Sequence, residues 1–470
     1  MNGLLEGLEV SIVRKQHVLD TVSTKRLDPE YFQKGYLADE RFIAKNEQFF
    51  RSPTDLGITI DASAFYPSIE EFYGSGDLPF YRVGDVDGLI DDEGALRIPH
   101  SLCDQFPTLR RVQEGDILFT KGGAIDRSGY VTKAGAVSRD LIYLNTSALP
   151  ENDRLALFAF FQTALFKRLL TRSSSQTAQP HLTITLVRQL PFFLPSGQLG
   201  AALAETTLAA YSQVEATKSQ LENASEAMLE SLGLANWAPP EPLTYSAKAS
   251  DAAVSGRLDS RFFAPRIQAL LDILSSDDRT VSSVARPRRE KYNPAKHATF
   301  DYIEISDLDG AGSVTSSHLA AADAPSRATW YVRPDDIITS TVRPIRRLSA
   351  QIQADQNGFV CSSGFVVIEP QDIAPEVLLT YLRLPVICEL LDLYASASMY
   401  PAITDADIFD LPFPALPHEV AQSVVKYVTD AKTAKKRAAE LLNAAKRAVE
   451  IAIEDSEASA LAFLDGVEAF

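Results

Sequence analysis

The chain has 470 residues, 46% hydrophobic and 23% charged, a composition that fits two or three domains with real cores and excludes a disordered or fibrous protein. The formal net charge of −17 argues against a protein coated with basic residues for nucleic-acid binding, although the distribution of charge matters more than its sum. Three cysteines without CxxC or Cys/His spacing argue against a disulfide framework and a zinc site.

The first half begins with the segment RLDPEYF (residues 26–32) and continues with short β-rich runs such as LPFYRV, GDILFT and LIYLNT. Gly, Pro and Asp turns separate these runs, and a predicted helix over Asn152–Leu170 follows them. Its apolar run, Leu155–Phe161, is far shorter than the roughly 20 residues of a membrane-spanning helix, so it is predicted to be buried. The polar segment TRSSSQTAQP (residues 171–180) comes next and is suited to an adaptable hydrogen-bonding loop.

A long amphipathic helix is predicted over Ala201–Leu232, which lacks Gly and Pro and lies between Gly200 and Gly233. The Pro-rich segment at residues 236–256 is predicted to be a linker to the second half. There, a helix over Pro375–Leu393 is predicted, which Pro385 should bend or break. A second long helix, with an Ala-rich stripe, is predicted over His418–Phe463.

The two halves repeat one another in sequence. PHLTITLVRQLPF, from Pro180, matches PAITDADIFDLPF, from Pro401, at an offset of 221 residues. Four further pairs occur in the same order: RLDPEYF with RLDSRFF, YRVGDVDG with IEISDLDG, VQEGDILFT with VRPDDIITS, and VSRDLIYL with CSSGFVVI. Because the order is kept and the offsets drift by only a few residues, the chain is predicted to contain a duplicated domain of roughly 200 residues.

The sequence resembles the specificity (S) subunits of type I restriction-modification enzymes over nearly its whole length. The resemblance rests on RLDPEYF and RLDSRFF, on GDILFTKGGAIDRSG, on the segments TAQPHLTITLVRQLPFFLP and SMYPAITDADIFDLPFP, and on the doubled order of globular half and helix. It departs from the pattern in the second copy, where DDIITSTVRPIRR lacks the Gly122-Gly123 turn.

The resemblance implies an α+β fold: duplicated mixed α/β target-recognition domains, joined by two long antiparallel helices with pseudo-twofold symmetry. The corresponding domain boundaries are 1–197 and 257–416 for the recognition domains, 198–235 and 417–470 for the helices, and 236–256 for the linker. It further implies a double-stranded DNA partner with a bipartite site and two methyltransferase subunits, and it leaves open a restriction and translocation subunit as a further partner. S-adenosylmethionine is then expected on the methyltransferase, with no cofactor or metal on this chain.

Candidate DNA contacts are Arg and Lys, which suit guanine edges and phosphates, and Gln and Tyr on polar loops. They are Lys121, Arg127, Arg172, Gln176, Gln179, Arg288, Arg289, Arg343, Arg346, Arg347 and Tyr400. For any single one, a solvated surface charge is an equally good interpretation. The candidates for partner binding are the apolar helix positions Tyr211, Val214, Leu221, Met228, Val424, Val428, Leu441 and Val449.

Catalysis by this chain is not expected. The sequence lacks a Gly-rich cofactor loop and an (Asn/Asp)-Pro-Pro-aromatic motif, and its six histidines are scattered. Asp85-Val86-Asp87-Gly88 and its repeat at residues 307–310 resemble a calcium loop only superficially, and repeated Asp-Gly turns are the better interpretation. The start of the chain lacks an export-signal pattern, so a cytoplasmic location is expected.

Two alternatives to an S subunit stay open at this point. One is a specificity-like DNA-recognition subunit of another phage-defence system. The other is a protein-only scaffold that has lost DNA binding, which the acidic net charge favours.

Overall fold

The computed structural model describes residues 11–21, 28–65, 67–90, 95–122, 125–174, 181–309, 312–395 and 402–468. The chain divides into two compact units: unit 1 comprises Met1–Gln213 with Lys436–Phe470, and unit 2 comprises Val214–Lys435. The divisions fall inside the two long helices, whereas the sequence placed its domain boundaries at the helix ends.

Unit 1 combines short strands with mostly short helices. Its strands are β1 (Phe50–Arg51), β2 (Thr59–Ala62), β3 (Leu78–Tyr81), β4 (Gly88–Ile90), β5 (Leu96–Ile98), β6 (Arg111–Val112), β7 (Ile117–Thr120), β8 (Ser128–Val131), β9 (Gly135–Val137), β10 (Leu141–Asn145) and β11 (Phe192–Phe193). Its helices are α1 (Lys15–Thr21), α2 (Lys34–Lys45), α3 (Ser101–Gln105), α4 (Glu151–Phe161), α5 (Ala164–Ser173), α6 (Ile184–Val187) and the first part of α7 (Gly197–Ser231).

Unit 2 continues α7 and repeats the same mixture of elements. Its strands are β12 (Ala285–Pro287), β13 (Thr299–Ile303), β14 (Ser317–Ala320), β15 (Ala328–Tyr331), β16 (Ile337–Ser340), β17 (Ser349–Gln351), β18 (Val360–Ser362) and β19 (Phe365–Pro370). Its helices are α8 (Ala249–Ser255), α9 (Pro265–Leu274), α10 (Pro375–Arg383), α11 (Pro385–Tyr394), α12 (Asp405–Phe409) and the first part of α13 (His418–Glu454). The rest of α13 and α14 (Glu457–Glu468) belong to unit 1.

The sheet topology confirms the duplication. One sheet of unit 1 has the order β2-β10-β7-β8-β4, and its counterpart in unit 2 has the order β12-β19-β16-β17. Two four-stranded sheets have the orders β5-β3-β9-β6 in unit 1 and β14-β13-β18-β15 in unit 2. In both of these the second and third strands are parallel and the outer pairs are antiparallel. The predicted α+β fold with two sheet-containing domains and long helices is therefore confirmed.

A pair of helices follows the last strand of the central sheet in each unit. Pro385 breaks the predicted second-half helix into α10 and α11, as expected. The single helix predicted over Asn152–Leu170 is wrong, because the chain breaks between α4 and α5 at Gln162 and Thr163. Thr163 caps α5 by accepting a hydrogen bond from the Phe166 amide at 3.3 Å. The two units therefore share a break that only one sequence marks with proline.

The first long helix was predicted well, but the second is shorter than predicted. α13 ends at Glu454, and α14 begins after Ser456, whose hydroxyl accepts a hydrogen bond from the Ser459 amide at 3.2 Å. This N-cap starts a new helix and replaces the continuous one predicted to Phe463. A guanidinium nitrogen of Arg437 donates to the carbonyl oxygen of Val467 at 3.2 Å, so α14 folds back along α13.

The predicted apolar stripes of the long helices are covered within the chain. In unit 1, Leu199 and Leu203 of α7 share a core with Ala448 and Val449 of α13. In unit 2, the later part of α7 and the earlier part of α13 share a core through positions that include Met228 and Val424. The start of one helix therefore packs with the end of the other, which makes the pair antiparallel as predicted.

This packing corrects the candidates for partner binding. Met228, Val424, Val428, Leu441 and Val449 are buried inside the chain, so they are not available to another subunit.

The three remaining candidates are half-buried: Tyr211, Val214 and Leu221. Tyr211 packs against the core of unit 1, and its hydroxyl oxygen is buried without a hydrogen-bond partner in the described part of the chain. Burial raises the pKa of this phenol. The stripe pattern was correct, but the surface that covers it belongs to the same chain.

Candidate nucleic-acid interface

The segment repeated before each long helix, which begins at Pro180 and Pro401, forms backbone hydrogen bonds to a loop that follows β7 in unit 1 and β16 in unit 2. We call these loops loop 1 (residues 121–127, after β7) and loop 2 (residues 341–348, after β16). The amide of Leu182 donates to the carbonyl oxygen of Lys121 at 2.8 Å, and the amide of Ile403 donates to that of Thr341 at 2.9 Å. Isolated antiparallel bridges, Gly122 with His181 and Val342 with Ala402, strengthen the same junctions.

The rest of the repeated segment is structural. The hydroxyl oxygens of Thr183 and Thr404 each accept a hydrogen bond from an amide three residues later, both at 3.3 Å, and so begin α6 and α12. The Leu-Pro-Phe exit then pairs with an earlier segment of its own unit. In unit 1 Phe193 pairs with Phe50, and in unit 2 the Phe413 amide donates to the carbonyl oxygen of Arg279 at 2.8 Å.

The turn before each central strand is also duplicated. The carboxylate of Asp116 accepts a hydrogen bond from the Gln113 amide at 2.8 Å, and that of Asp336 accepts one from the Arg333 amide at 2.8 Å. Both aspartates are buried, and burial raises the pKa of each carboxyl while these hydrogen bonds oppose the shift. Loop 1 and loop 2 therefore leave equivalent strands through equivalent anchors.

Loop 1 carries Lys121 and Arg127 at its two ends. The Lys121 amide donates to the carbonyl oxygen of Asp140 at 2.8 Å, and the Thr120 amide donates to that of Arg127 at 3.3 Å. The side chain of Arg127 is exposed and that of Lys121 is half-exposed, whereas Ile125 belongs to the core of unit 1. Gly123 and Ala124 lie outside the described residues.

Loop 2 is a tight basic turn. Arg343 and Arg347 both have left-handed backbone conformations, with φ of 51° and 59°. Between them, Pro344 is buried, while Ile345 and Arg346 are exposed. A residue other than glycine is strained in the left-handed region, which raises the free energy of the turn. The surrounding structure must therefore hold the turn in place.

Arg347 supplies part of that hold. Its Nε atom donates to the carbonyl oxygen of Arg383 at 2.7 Å, and Arg383 donates back to the carbonyl oxygens of Arg347 and Ser349, both at 3.0 Å. Its guanidinium is therefore engaged inside unit 2. Arg346, in contrast, makes no side-chain hydrogen bond or ion pair within the described part of the chain.

Two other candidate DNA contacts are engaged in the fold, which argues against them. Arg172 is buried, and its guanidinium donates to the Tyr31 carbonyl oxygen at 3.0 Å and to the Glu40 carboxylate at 2.7 Å. Arg288 is half-buried and bound to the Asp336 carboxylate at 2.7 Å. A cation with these partners would have to give them up before binding a phosphate.

The remaining candidates differ in what the structure says about them. Arg289 is exposed and forms an ion pair with Asp405, the first residue of α12. Gln176, Gln179 and Tyr400 lie outside the described residues. The candidates that lie on the two equivalent loops are thus Lys121, Arg127, Arg343, Arg346 and Arg347, and the Arg347 guanidinium among them is bound inside unit 2.

A cleft of about 600 Å³ in unit 1 was not predicted from the sequence, and it is lined by Asp140, whose carbonyl oxygen accepts the hydrogen bond from the Lys121 amide of loop 1. Its lining includes Phe65, Tyr73, Phe80, Arg82 and Arg139. Ser138 also lines the cleft, and its hydroxyl oxygen is buried without a hydrogen-bond partner within the described residues. Arg139 lies in the repeated segment VSRDLIYL, whereas the matching segment CSSGFVVI has no arginine. This difference between the two copies was the sequence feature that could have indicated the cleft.

The Asp-Gly repeats are turns, in agreement with the sequence interpretation. The carboxylate of Asp85 accepts a hydrogen bond from the Arg82 amide at 2.8 Å, and that of Asp307 accepts one from the Glu304 amide at 2.7 Å. Within the ranges that the structure describes, no cluster of three or more His, Cys, Asp or Glu side chains is placed to hold a metal ion. Among the described helices, none is long and apolar enough to cross a membrane.

No protein-family model matches the chain, and neither does any curated protein. Among solved structures, it is similar to the S subunit of a type I restriction-modification system from M. genitalium, with 12% identity, a TM-score of 0.36, and coverage of 88% of this chain and 95% of that one. It is also similar to the HsdS subunit from Thermoanaerobacter tengcongensis, with 16% identity, a TM-score of 0.26, and coverage of 89% and 92%. The type IIG restriction endonuclease BpuSI is matched over 41% of this chain and 30% of its own, with 8% identity and a TM-score of 0.31.

Proposed function

We propose that the chain is a DNA sequence-specificity subunit of a restriction-modification complex, in which each unit reads one part of a bipartite target. The observation that carries the proposal is the duplicated sheet, which presents loop 1 and loop 2 after equivalent strands and with equivalent backbone hydrogen bonds. A non-catalytic reader needs such a frame, because two copies of one scaffold can present two different recognition surfaces.

The chemistry of the loops supports recognition of two different half-sites. Loop 1 combines Lys121 and Arg127 with Asp126, whereas loop 2 carries Arg343, Arg346 and Arg347 without an acidic residue. Arginine and lysine bind phosphates and the guanine edge, and an aspartate can accept from the cytosine amino group. The two loops are therefore suited to different base sequences, as an asymmetric target requires.

Methyltransferase subunits are the proposed protein partners, with S-adenosylmethionine bound to them. Because the apolar stripes of α7 and α13 are buried, docking would use the outward faces of these helices. Leu208 of α7 is 45% exposed and is a large apolar side chain on such a face. A partner at this position would cover apolar surface that water otherwise contacts.

The test is co-expression with the products of the neighbouring genes, followed by sequencing of methylated sites in the host genome. A bipartite methylated motif is expected. Replacing Arg257–Pro414 with the matching segment of a relative that directs methylation to another sequence should then change one half of the motif and leave the other intact. A purified complex that binds no duplex DNA in a gel-shift assay would overturn the proposal and favour a protein-only scaffold.

A further inference from the structure

Ile345 is an apolar side chain held at the tip of a basic turn. It is 54% exposed and lies between Pro344, which is buried, and Arg346, which is exposed. Single exposed apolar residues are common on protein surfaces and need no explanation by themselves. An exposed apolar residue is informative only where the surrounding backbone holds it in that position, and loop 2 holds Ile345 in this way.

The backbone of loop 2 holds Ile345 in its exposed position. Arg343 and Arg347, on either side of Ile345, are both in the left-handed region, which is costly for side chains other than glycine. The Arg347 side chain is bound to the Arg383 carbonyl oxygen at 2.7 Å, and Thr341 is bound to Ile403 and Gly364 through its backbone and hydroxyl. Anchors on both sides of the tip keep the strained turn in one conformation.

The other unit provides an internal comparison. Ile125 lies five residues after the end of β7, as Ile345 lies five residues after the end of β16, yet Ile125 is only 6% exposed and packs in the core of unit 1. Loop 2 is one residue longer: eight residues separate the paired Phe119 and Ser128, and nine separate the paired Thr339 and Ser349. The longer, left-handed turn is accompanied by the outward position of the isoleucine.

We propose that Ile345 reads a base directly, by packing against the 5-methyl group of a thymine in the major groove. This inference rests on the proposed function. A thymine methyl is the apolar feature of the major-groove edge, and apolar side chains are its usual contacts. Arg346 beside it is exposed and is placed to balance a neighbouring phosphate, so the turn combines a charged residue with an apolar tip.

The test uses the assembled complex and its cognate duplex, with each thymine of the half-site assigned to unit 2 replaced in turn by deoxyuridine, which lacks only the methyl group. At one position the affinity should fall about fourfold, the loss expected for one buried methyl group. Ile345→Ala should cause a similar loss on the thymine duplex. On the deoxyuridine duplex the variant and the wild type should bind equally, because the contact is already absent.

Leu243→Ala is the matched control, since Leu243 is a fully exposed apolar residue of the same unit outside the loop, and it should not change the affinity. The inference is overturned by a half-site without thymine, by a flat deoxyuridine scan, or by losses from Ile345→Ala and deoxyuridine that simply add. A complex that binds no bipartite duplex at all would instead overturn the proposed function, and the contact with it.

Discussion

Arg347 and Arg383 each donate a guanidinium hydrogen bond to the backbone carbonyl oxygen of the other, at 2.7 Å and 3.0 Å. Burial, together with the nearby charge of Arg347, lowers the pKa of Arg383 to about 10. Because Arg383 is the last residue of α10, a cation on its carbonyl oxygen also caps that helix. Loop 2 is therefore attached to a buried helix end.

Arg347→Ala should lower the free energy of unfolding of unit 2 by about 1–2 kcal/mol, because the Arg383 carbonyl oxygen loses its charged donor. The two tryptophans of the chain, Trp237 and Trp330, both lie in unit 2, so denaturant titrations followed by tryptophan fluorescence report on that unit. Arg346→Ala is the control and should leave the unfolding midpoint unchanged. Equal effects of the two variants would contradict the anchoring role.

Arg346, which should not affect the stability of unit 2, should affect the salt dependence of DNA binding. If the exposed Arg346 contacts a DNA phosphate, Arg346→Ala should reduce the magnitude of the slope of log affinity against log salt by about 0.9. Lys436→Ala is the control, because Lys436 is an exposed cation on α13, outside both loops. An unchanged slope for Arg346→Ala would remove this residue from the phosphate contacts.

The duplicated aspartates should differ in importance. Asp336→Asn weakens the bond to the half-buried Arg288 and should cost unit 2 about 2–3 kcal/mol. Asp116 makes no bond to an arginine within the described residues, so Asp116→Asn should cost unit 1 only about 1 kcal/mol. Tryptophan fluorescence should detect the first change, and circular dichroism is needed for the second, because unit 1 has no tryptophan. A larger loss for Asp116→Asn would show that the arginine contributes little.

The outward face of α7 can be tested through Leu208. Leu208→Glu should prevent co-purification of the methyltransferase subunits while leaving the thermal unfolding of the isolated chain nearly unchanged, because the side chain is exposed in the chain alone. Leu243→Glu, at an exposed position of the linker, is the control and should co-purify normally. Retention of the partner by Leu208→Glu would place the docking surface elsewhere.

The duplication and the long helices could be predicted because they rest on repeated segments and on the spacing of apolar residues. Pro385 predicts a helix break because proline lacks an amide donor. Gln162 and Thr163 can both occupy helices, so the equivalent break in unit 1 depends on tertiary packing and could not be predicted. Ser456 is a similar case, since a serine caps a helix only where the chain has already turned.

The candidate site could be predicted only in part, because a sequence gives the charge of a residue without its partner. Arg172 and Arg346 are the same residue type in the sequence, yet Arg172 is bound to Glu40, 132 residues away, and Arg346 is exposed. The stripe containing Met228 and Val424 is a comparable case: the apolar pattern is plain, but whether the same chain or another one covers it depends on the assembled fold.

Unit 2 is one continuous stretch of chain, whereas unit 1 needs Lys436–Phe470, which the ribosome makes only after unit 2. At about 5–20 residues per second, the 222 residues of unit 2 take on the order of 10–40 s to synthesise. During that time the nascent residues before them lack Ala448, Val449 and Leu464, which complete their core. The unit that emerges first is therefore finished last, and it is the one expected to occupy chaperones during translation.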